Sequence, residues 1–329
     1  MLEHRALRLL LVLSIVNGLV CTIAPAYILL RPGGDEAPVG DLVWIAAIIA
    51  VALTPVAGAA LWLVLRPRLR AMRESRQTRH LVGRIVAEET VDTAFQPIVD
   101  LRRGRVIGAE ALSRFPVEPA RSPDAWFAAA HSVGQGLALE EVTLRRSLRR
   151  AFGLPNGCYV ALNVSPSMLT SGRLVPLLHQ SGFPLARVVV EVTEHTSIED
   201  YTQVVSARAE LKDLGVRLAV DDAGAGYASL RHILALAPDL IKIDRSLISG
   251  VDTDPIRRSM VSAVAMFALQ SGASLVAEGV ETTGELEALR GLGIESAQGF
   301  LIGRPSTDAH QWAEWRAPLA AARPATVTG

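Results

Sequence analysis

The sequence predicts an α/β barrel of the (β/α)8 type, preceded by a transmembrane hairpin of two helices. Three observations indicate this fold class. Two long uncharged apolar runs lie near the amino terminus, short β-rich runs then alternate with helical stretches, and polar side chains recur where the β-rich runs end. An open doubly wound sheet remains an alternative for the alternating part.

The composition of the 329 residues limits the function classes. Lys+Arg 33 balance Asp+Glu 33, so no overall basic field exists to hold a nucleic-acid polymer. The two cysteines, Cys21 and Cys158, suffice for neither a disulfide framework nor a zinc site. Hydrophobic residues make up 50% of the chain and the mean hydropathy is +0.31, which is high for a soluble globular domain. The apolar excess is therefore concentrated in one region.

That region is the amino-terminal part, where residues 9–30 and 42–65 form two runs without a charged residue. A helix needs about 20 apolar residues to cross a bilayer core, and each run is long enough. Residues 1–65 are therefore predicted to form a transmembrane hairpin. An alternative interpretation treats the first run as a signal peptide that is cleaved near Ala24-Pro25-Ala26.

The distribution of arginine predicts the orientation of this hairpin. Arg5 and Arg8 precede the first run and seven arginines follow the second, whereas the short loop between the runs has one. Cytoplasmic flanks carry the excess of Lys and Arg, so both termini are expected in the cytoplasm. The prediction is a protein of the bacterial inner (cytoplasmic) membrane with a cytoplasmic domain.

Residues 66–90 form an arginine-rich segment with interspersed apolar residues, which predicts a basic linker helix that leaves the membrane. Two interpretations stay open. The segment is a signalling linker or dimer contact that also touches anionic lipid headgroups, or it is only the basic collar that the topology requires. The predicted barrel then covers residues 91–318, and a flexible tail covers residues 319–329.

Eight β-rich runs follow the linker and alternate with helical stretches such as residues 197–215 and 255–272. Such alternation is typical of strand-then-helix units, and eight strands in roughly 230 residues suit a barrel. The runs begin at Thr93, Val106, Cys158, Arg187, Val216, Leu240, Ser274 and Glu295.

Polar side chains lie at or near the carboxyl ends of seven of these runs. In a parallel barrel these ends meet on one face, which is where enzymes of this architecture place their chemistry. One such residue alone is better explained as a helix cap or a solvated strand end, but seven strands together predict a site. The residues are Glu110, Arg114, Asn163, Glu191, Asp221, Asp222, Lys242, Glu278 and Gln298.

The chemistry of this set indicates a hard cation. Carboxylates and an amide offer the oxygen ligands that Mg²⁺ or Mn²⁺ prefers, whereas no Cys/His cluster supports zinc. The adjacent carboxylates Asp221 and Asp222 suit a two-metal phosphoryl site, because one of them can bridge two ions. No Ser-His-Asp order, Walker loop or GxGxxG turn is evident, which argues against acyl transfer and nucleoside-triphosphate chemistry.

The strand ends carry motifs that resemble those of the EAL-domain cyclic-di-GMP phosphodiesterases. Between about residues 90 and 318 the chain reads, in order, FQPIVDL, GAEALSR, LNVSP, EVTE, DDAGAGY, KIDRSL, VAEGVE and QGFLIGRP. The resemblance implies a TIM-like barrel whose first strand is antiparallel. It also implies Mg²⁺- or Mn²⁺-dependent hydrolysis of cyclic di-GMP to linear pGpG, and a homodimer.

The resemblance further implies roles for individual residues. Two metal ions, sharing Asp221, would be bound by Glu110, Asn163, Glu191, Asp221, Asp222 and Glu278. Lys242 would hold the attacking water, which Glu278 would help to orient or deprotonate, and Gln298 would lie nearby. The substrate contacts would be Gln96, Arg114 and Asp244, with the planar fork of Arg114 suited to a phosphate.

The chain departs from the family pattern in the loop after the fifth strand. Ala223, Ala225 and Ala228 stand where family members often have an aromatic residue and two hydroxyl residues. In the family, Glu194 and Glu281 correspond to positions that brace this loop and its surroundings. The lighter loop leaves two functions open, an active membrane-anchored phosphodiesterase or a catalytically impaired cyclic-di-GMP receptor. The complete ligand set favours hydrolysis, because receptors of this kind usually lack one or more ligands.

Overall fold

A computed structural model of the protein describes residues 38–192, 201–223 and 236–315. The chain divides into two compact units, Met1–Gln77 and Thr78–Gly329. The predicted tail at residues 319–329 lies outside the described residues.

Helix α1 (Pro38–Glu88) contains the second predicted membrane run, residues 42–65, several of whose side chains the structure does not describe. The first predicted run, residues 9–30, lies wholly outside the described residues. Among the residues that are described, no helix is both long and apolar enough to cross a membrane. The predicted hairpin therefore stays a prediction.

Eight strands of the described chain close into a barrel in sequence order. They are β1 (Asp92–Asp100), β2 (Arg105–Arg114), β3 (Tyr159–Val164), β4 (Val188–Val192), β5 (Arg217–Ala223), β6 (Leu240–Ile243), β7 (Ser274–Ala277) and β8 (Ser296–Ala297). Strand β1 is antiparallel to both β2 and β8, and the other neighbours are parallel. The TIM-like barrel with an antiparallel first strand is confirmed, and the open doubly wound sheet is wrong because β1 closes the sheet against β8.

The helices that alternate with these strands form the second layer. They are α2 (Pro123–Ser132), α3 (Gly136–Ala151), α4 (Pro166–Thr170), α5 (Leu174–Gln180), α6 (Tyr201–Asp213), α7 (Arg245–Ile248), α8 (Pro255–Ser271), α9 (Thr283–Gly291) and α10 (Ala309–Glu314). Local sequence sets the ends of α8. The Asp254 carboxylate accepts the N–H groups of Ile256 and Arg257, and Gly272 ends the helix in the left-handed conformation with φ 76°.

The strands are apolar on both faces, because one face lines the barrel and the other packs under the helices. A cluster drawn only from strands fills the lower part of the barrel: Ile98, Tyr159, Ala161, Val189, Ala219, Leu240 and Val276. Glycine is required at position 108 in this layer. A Cβ built at Gly108 would lie 2.5 Å from Cζ of Tyr159, so the ring lies directly over the backbone of β2.

Candidate active site

The strand register brings most of the predicted site residues together. Gln96 and Glu110 are direct partners on the antiparallel strands β1 and β2. Asn163 and Glu191 are direct partners on the parallel strands β3 and β4. Adjacent strands of a sheet are about 4.8 Å apart, so register partners whose side chains share a face come into contact.

Lys242 lies at the centre of the site, with only 1% of its side chain exposed. Its Nζ atom is 2.6 Å from Glu278 Oε1 and 2.9 Å from Glu191 Oε2. The same atom is 3.2 Å from Asp221 Oδ1 and 3.6 Å from Glu110 Oε2. Carboxylates from three strands and from Glu278, the residue directly after β7, therefore converge on one ammonium group from β6, as the sequence predicted for the carboxyl face of a barrel.

The charges of this cluster perturb one another. Burial disfavours the charged form of Lys242, but the surrounding carboxylates outweigh it and raise the pKa of the amine well above its usual value. Burial raises the pKa of Glu278 to about 8 against the attraction of Lys242. Burial also raises the pKa of Glu191 well above its usual value. Repulsion by Glu110, Asp221 and Glu278 adds to the effect of burial on the pKa of Glu191, because four carboxylates share one ammonium group.

A chain of amide groups holds the Glu110 carboxylate. Asn163 Nδ2 donates to Glu110 Oε1 at 2.8 Å, and Gln298 Nε2 donates to Glu110 Oε2 at 2.6 Å. Gln298 Nε2 also lies 2.9 Å from Gln96 Oε1, while Gln96 Nε2 donates to the carbonyl of Gly303 at 3.1 Å. Burial acts to raise the pKa of Glu110, but Lys242 and these amide donors lower it below the usual value. Glu110 is therefore held as an oriented carboxylate.

Two cavities adjoin the cluster. The smaller, of about 230 Å³, is lined among others by Gln96, Glu110, Arg245, Glu278, Glu281 and Gln298. The larger, of about 430 Å³, includes Arg114, Glu140 and Asn163 in its wall. Since Asn163 of the larger cavity donates to Glu110 of the smaller one, the two cavities meet at this hydrogen bond.

The other predicted substrate contacts have different surroundings. Arg114 ends β2, and its Nη1 donates to the carbonyl of Ser113 at 2.9 Å in the wall of the larger cavity. The Asp244 carboxylate accepts the N–H of Ser246 at 2.8 Å and thereby caps helix α7. A substrate contact by Asp244 stays a prediction beside this structural role.

Several predicted positions are described only in part. Glu194, Ala225 and Ala228 lie outside the described residues, and the side chain of Asp222 is not described, although its backbone belongs to β5. Glu281 is described, and its Oε2 pairs with Arg245 Nη2 at 2.9 Å. A bracing role for Glu194 and Glu281 therefore stays a prediction.

Sequence reasoning missed Glu140, a buried residue of α3 in the wall of the larger cavity. Its carboxylate accepts the N–H of Ser165 at 2.6 Å and the hydroxyl of Ser165 at 2.8 Å. Burial raises the pKa of Glu140 in spite of these donors. Ser165 lies two residues after Asn163, so Glu140 holds the end of β3 near the cluster. Glu140 lies on an amphipathic helix, and no motif in the surrounding sequence indicates a role at the site.

Within the described residues, no group of three or more His, Cys, Asp or Glu side chains is arranged to hold a metal ion. The carboxylates of the cluster converge instead on the ammonium of Lys242. The donor chemistry nevertheless fits a hard divalent cation. Three buried carboxylates, the half-buried Glu278 and one amide supply oxygen ligands, and the negative charge of the carboxylates is what such a cation would neutralise.

A model of the EAL domain family matches residues 79–305. The chain belongs to the EAL domain family. Among curated proteins, this EAL domain is 32% identical over 247 residues to an uncharacterized protein of Sinorhizobium fredii, covering 73% of this chain and 30% of the relative. It is 28% identical over 264 residues to the probable cyclic di-GMP phosphodiesterase PdeD of Escherichia coli, covering 78% of this chain and 48% of PdeD. The chain thus spans between about a third and a half of the length of these relatives.

Solved structures with this fold include complexes with cyclic di-GMP. Klebsiella pneumoniae BlrP1, in a calcium and cyclic-di-GMP complex, has a TM-score of 0.60 and 32% identity, covering 66% of this chain and 56% of BlrP1. The PaMucR phosphodiesterase in complex with cyclic di-GMP has a TM-score of 0.62 and 29% identity, covering 71% of this chain and 99% of PaMucR. These structures share the barrel fold and the EAL domain of this chain.

Proposed function

We propose that this EAL domain hydrolyses cyclic di-GMP to linear pGpG. The observation that carries the proposal is the convergence of Glu110, Glu191, Asp221 and Glu278 on the buried Lys242 at the carboxyl ends of the strands. Hydrolysis of a phosphodiester needs a positioned water and compensation of the phosphate charge, and this site offers groups for both. The similarity to PdeD and PaMucR supports the substrate class.

Two divalent cations, Mg²⁺ or Mn²⁺, complete the proposed site. The residues that would hold them are Glu110, Asn163, Glu191, Asp221, Asp222 and Glu278. Bound cations would supply positive charge to the phosphate and acidify a bound water. A structure of BlrP1 with manganese and cyclic di-GMP supports the choice of cation.

The protein groups have separate tasks in this proposal. The ammonium of Lys242 donates hydrogen bonds to the attacking water. Glu278, whose Oε1 is 2.6 Å from Nζ, lies within reach of the same water and, in its ionised form, helps to orient or deprotonate it. Gln298 and Asn163 hold the Glu110 carboxylate in place through their amide donors. Gln96 and Arg114 bind the substrate from the walls of the two cavities.

The test is a hydrolysis assay on the purified full-length chain with cyclic di-GMP and Mn²⁺, with pGpG separated by chromatography. Glu110→Gln keeps the shape of the side chain and removes its charge, so it should abolish turnover. Glu287→Gln, an exposed carboxylate on helix α9, is the matched control and should turn over like the parent. Tight binding without turnover by the parent would assign the chain to the alternative, a catalytically impaired receptor.

The proposal also places the protein as a homodimer in the bacterial inner membrane, with the catalytic domain in the cytoplasm. Support for the membrane anchor comes from the two charge-free runs and the arginines that flank them. A membrane fraction that keeps the full-length chain after a carbonate wash is the expected result. Release of the chain into the wash would contradict the anchor but leave the proposed hydrolysis untouched.

A further inference from the structure

Arg245 is the first residue of helix α7 and lines the smaller cavity beside the carboxylate cluster. The other charged side chains in the wall of this cavity are the carboxylates Glu110, Glu278 and Glu281. Arg245 is thus the one cation among the described residues that line it. Nothing in the roles proposed so far uses this guanidinium group.

Among the described residues, one ion pair holds the guanidinium. Nη2 of Arg245 is 2.9 Å from Glu281 Oε2, and 57% of the arginine side chain stays exposed. A guanidinium carries five N–H donors, and one acceptor at this distance engages only part of them. The group is oriented by Glu281 and still has donors to offer to a ligand.

The stem of Arg245 is packed as well, on the backbone that follows Glu278. A Cβ built at Gly279 would lie 2.5 Å from Cγ of Arg245, and Gly279 has φ +65°, which an L side chain rarely adopts. Glycine at this position lets the arginine lie directly against the residue after a cluster carboxylate. The stem of Arg245 therefore packs against the backbone directly after Glu278.

The partner of Arg245 is itself fixed. The buried Glu285 carboxylate accepts the N–H groups of Glu281 at 2.9 Å, Thr282 at 3.1 Å and Gly250 at 3.0 Å. Glu285 and Thr282 form a capping box at the start of helix α9. Exposed ion pairs usually contribute little to stability. Stability alone therefore does not explain why the pair of Glu281 with Arg245 is so firmly positioned.

We propose that Arg245 binds a phosphate of the substrate in the smaller cavity, and that it sets substrate affinity rather than the rate of the chemical step. This inference rests on the proposed function, because a cyclic dinucleotide carries two phosphates. Arg114 lines the larger cavity and Arg245 the smaller, so each of the two cavities that adjoin the carboxylate cluster contains one arginine. The planar fork of a guanidinium matches two phosphate oxygens, and its charge offsets their repulsion by the neighbouring carboxylates.

The test compares Arg245→Gln with Arg103→Gln in the full-length chain. Arg103, in the turn between β1 and β2, is a matched control, because it is also exposed and also pairs with a carboxylate at 2.9 Å, that of Asp100 at the end of β1. Arg245→Gln should raise KM about 10-fold with kcat within about 2-fold of the parent, as expected for lost binding energy. Arg103→Gln should leave both constants unchanged.

Equilibrium binding supplies a second readout. The affinity of fluorescently labelled cyclic di-GMP, measured in Ca²⁺, should fall about 10-fold in Arg245→Gln, which corresponds to about 1.4 kcal/mol. Arg245→Lys keeps the charge and loses the fork, so its KM and affinity should lie between those of the parent and the glutamine variant. If Arg245→Gln unfolds at a lower temperature than the parent, the lysine variant decides the question.

The outcomes separate this inference from the proposed function. Parental KM and parental affinity in both Arg245 variants would overturn the role of Arg245. A large fall in kcat with unchanged affinity would overturn it too, because it would assign the arginine to the chemical step. A parent chain that neither binds nor hydrolyses cyclic di-GMP would instead refute the proposed function.

Discussion

Two layers inside the same barrel differ in almost every physical property. The lower layer consists of buried apolar side chains and one tyrosine, whereas the upper layer gathers buried carboxylates, amides and the ammonium of Lys242. The layers are two residues apart along each strand, which is the period at which side chains return to the same face. Strand β1 and the strands from β3 to β7 therefore contribute, at or next to their ends, to both layers.

The pairs can be followed strand by strand. The lower and upper members are Ala161 and Asn163 on β3, Val189 and Glu191 on β4, Ala219 and Asp221 on β5, Leu240 and Lys242 on β6, and Val276 on β7 with Glu278 directly after it. On the antiparallel strand β1 the order is reversed, because Gln96 of the upper layer precedes Ile98 of the lower layer.

In this barrel, the residues that stabilise the fold and the residues that form the site are two positions apart along a strand. Burial of apolar surface in the lower layer stabilises the fold. Burial of like charges in the upper layer costs stability and is tolerated only because Lys242 compensates part of it. Substitutions in the two layers should therefore differ in which property they change.

The largest expected effect comes from Lys242→Met in the upper layer. Without the ammonium, the water loses its donor and the carboxylates lose their shared partner, so kcat should fall about 1000-fold. Steady-state kinetics with cyclic di-GMP measures the effect. Lys212→Met, an exposed lysine of α6, should behave like the parent. Turnover within 10-fold of the parent would show that the upper layer does not depend on Lys242.

The lower layer should respond in stability. Leu240→Ala removes a side chain that is 5% exposed, and the free energy of unfolding should fall by about 3 kcal/mol because of the lost burial and the cavity. Urea denaturation measures this, and kcat at low temperature should stay close to that of the parent. Leu269→Ala, at a position that is 78% exposed on α8, should change neither property. A stable Leu240→Ala with low kcat would contradict the separation of the layers.

Divalent cations should stabilise the upper layer, because four carboxylates share one ammonium group there. At a Mn²⁺ concentration about 100 times its dissociation constant, the free energy of unfolding should rise by about 2.7 kcal/mol. Thermal unfolding with Mn²⁺ and after chelation measures the shift. Glu191→Gln should reduce it, while Na⁺ at matched ionic strength should not reproduce it. An unchanged melting temperature with Mn²⁺ would rule out the proposed cation site.

Gly108→Ala tests how tightly the lower layer is packed. The added methyl group would collide with the ring of Tyr159, so the free energy of unfolding should fall by about 2 kcal/mol. Gly291→Ala is the matched control, because a Cβ there meets no atom within 4 Å at the end of helix α9. The control should be neutral or slightly stabilising. Equal denaturation midpoints for the two variants would contradict close packing at Gly108.

Sequence reasoning found the strands because each is a short apolar run whose ends carry a polar residue. The run predicted from Val106 is observed as β2 (Arg105–Arg114), and the run predicted from Leu240 begins where β6 begins. The last strand was less well bounded, since the run from Glu295 contains only Ser296–Ala297 as β8. Its two residues pair with β1 and β7, which are far away in sequence, so local pattern had little to define it.

The same reasoning named Glu110, Glu191, Asp221, Lys242 and Glu278 as neighbours, and the structure confirms that they meet. This prediction was possible because the carboxyl ends of parallel strands lie on one face of a barrel. It assigned no role to Arg245, although this residue belongs to the KIDRSL motif. Contact between Arg245 and Gly279 depends on how two separate loops pack, and no sequence period encodes that.

By itself, the sequence determined where the strands lie along the chain, the two-residue spacing between the apolar and charged layers, and the chemical type of the site. These properties are local, because they follow from the alternation of side chains along one strand. Only the tertiary structure decided that one ammonium serves four carboxylates and that Glu285, Glu281 and Arg245 form a connected support beside the smaller cavity. These contacts arise when the barrel closes and brings distant loops within hydrogen-bond distance.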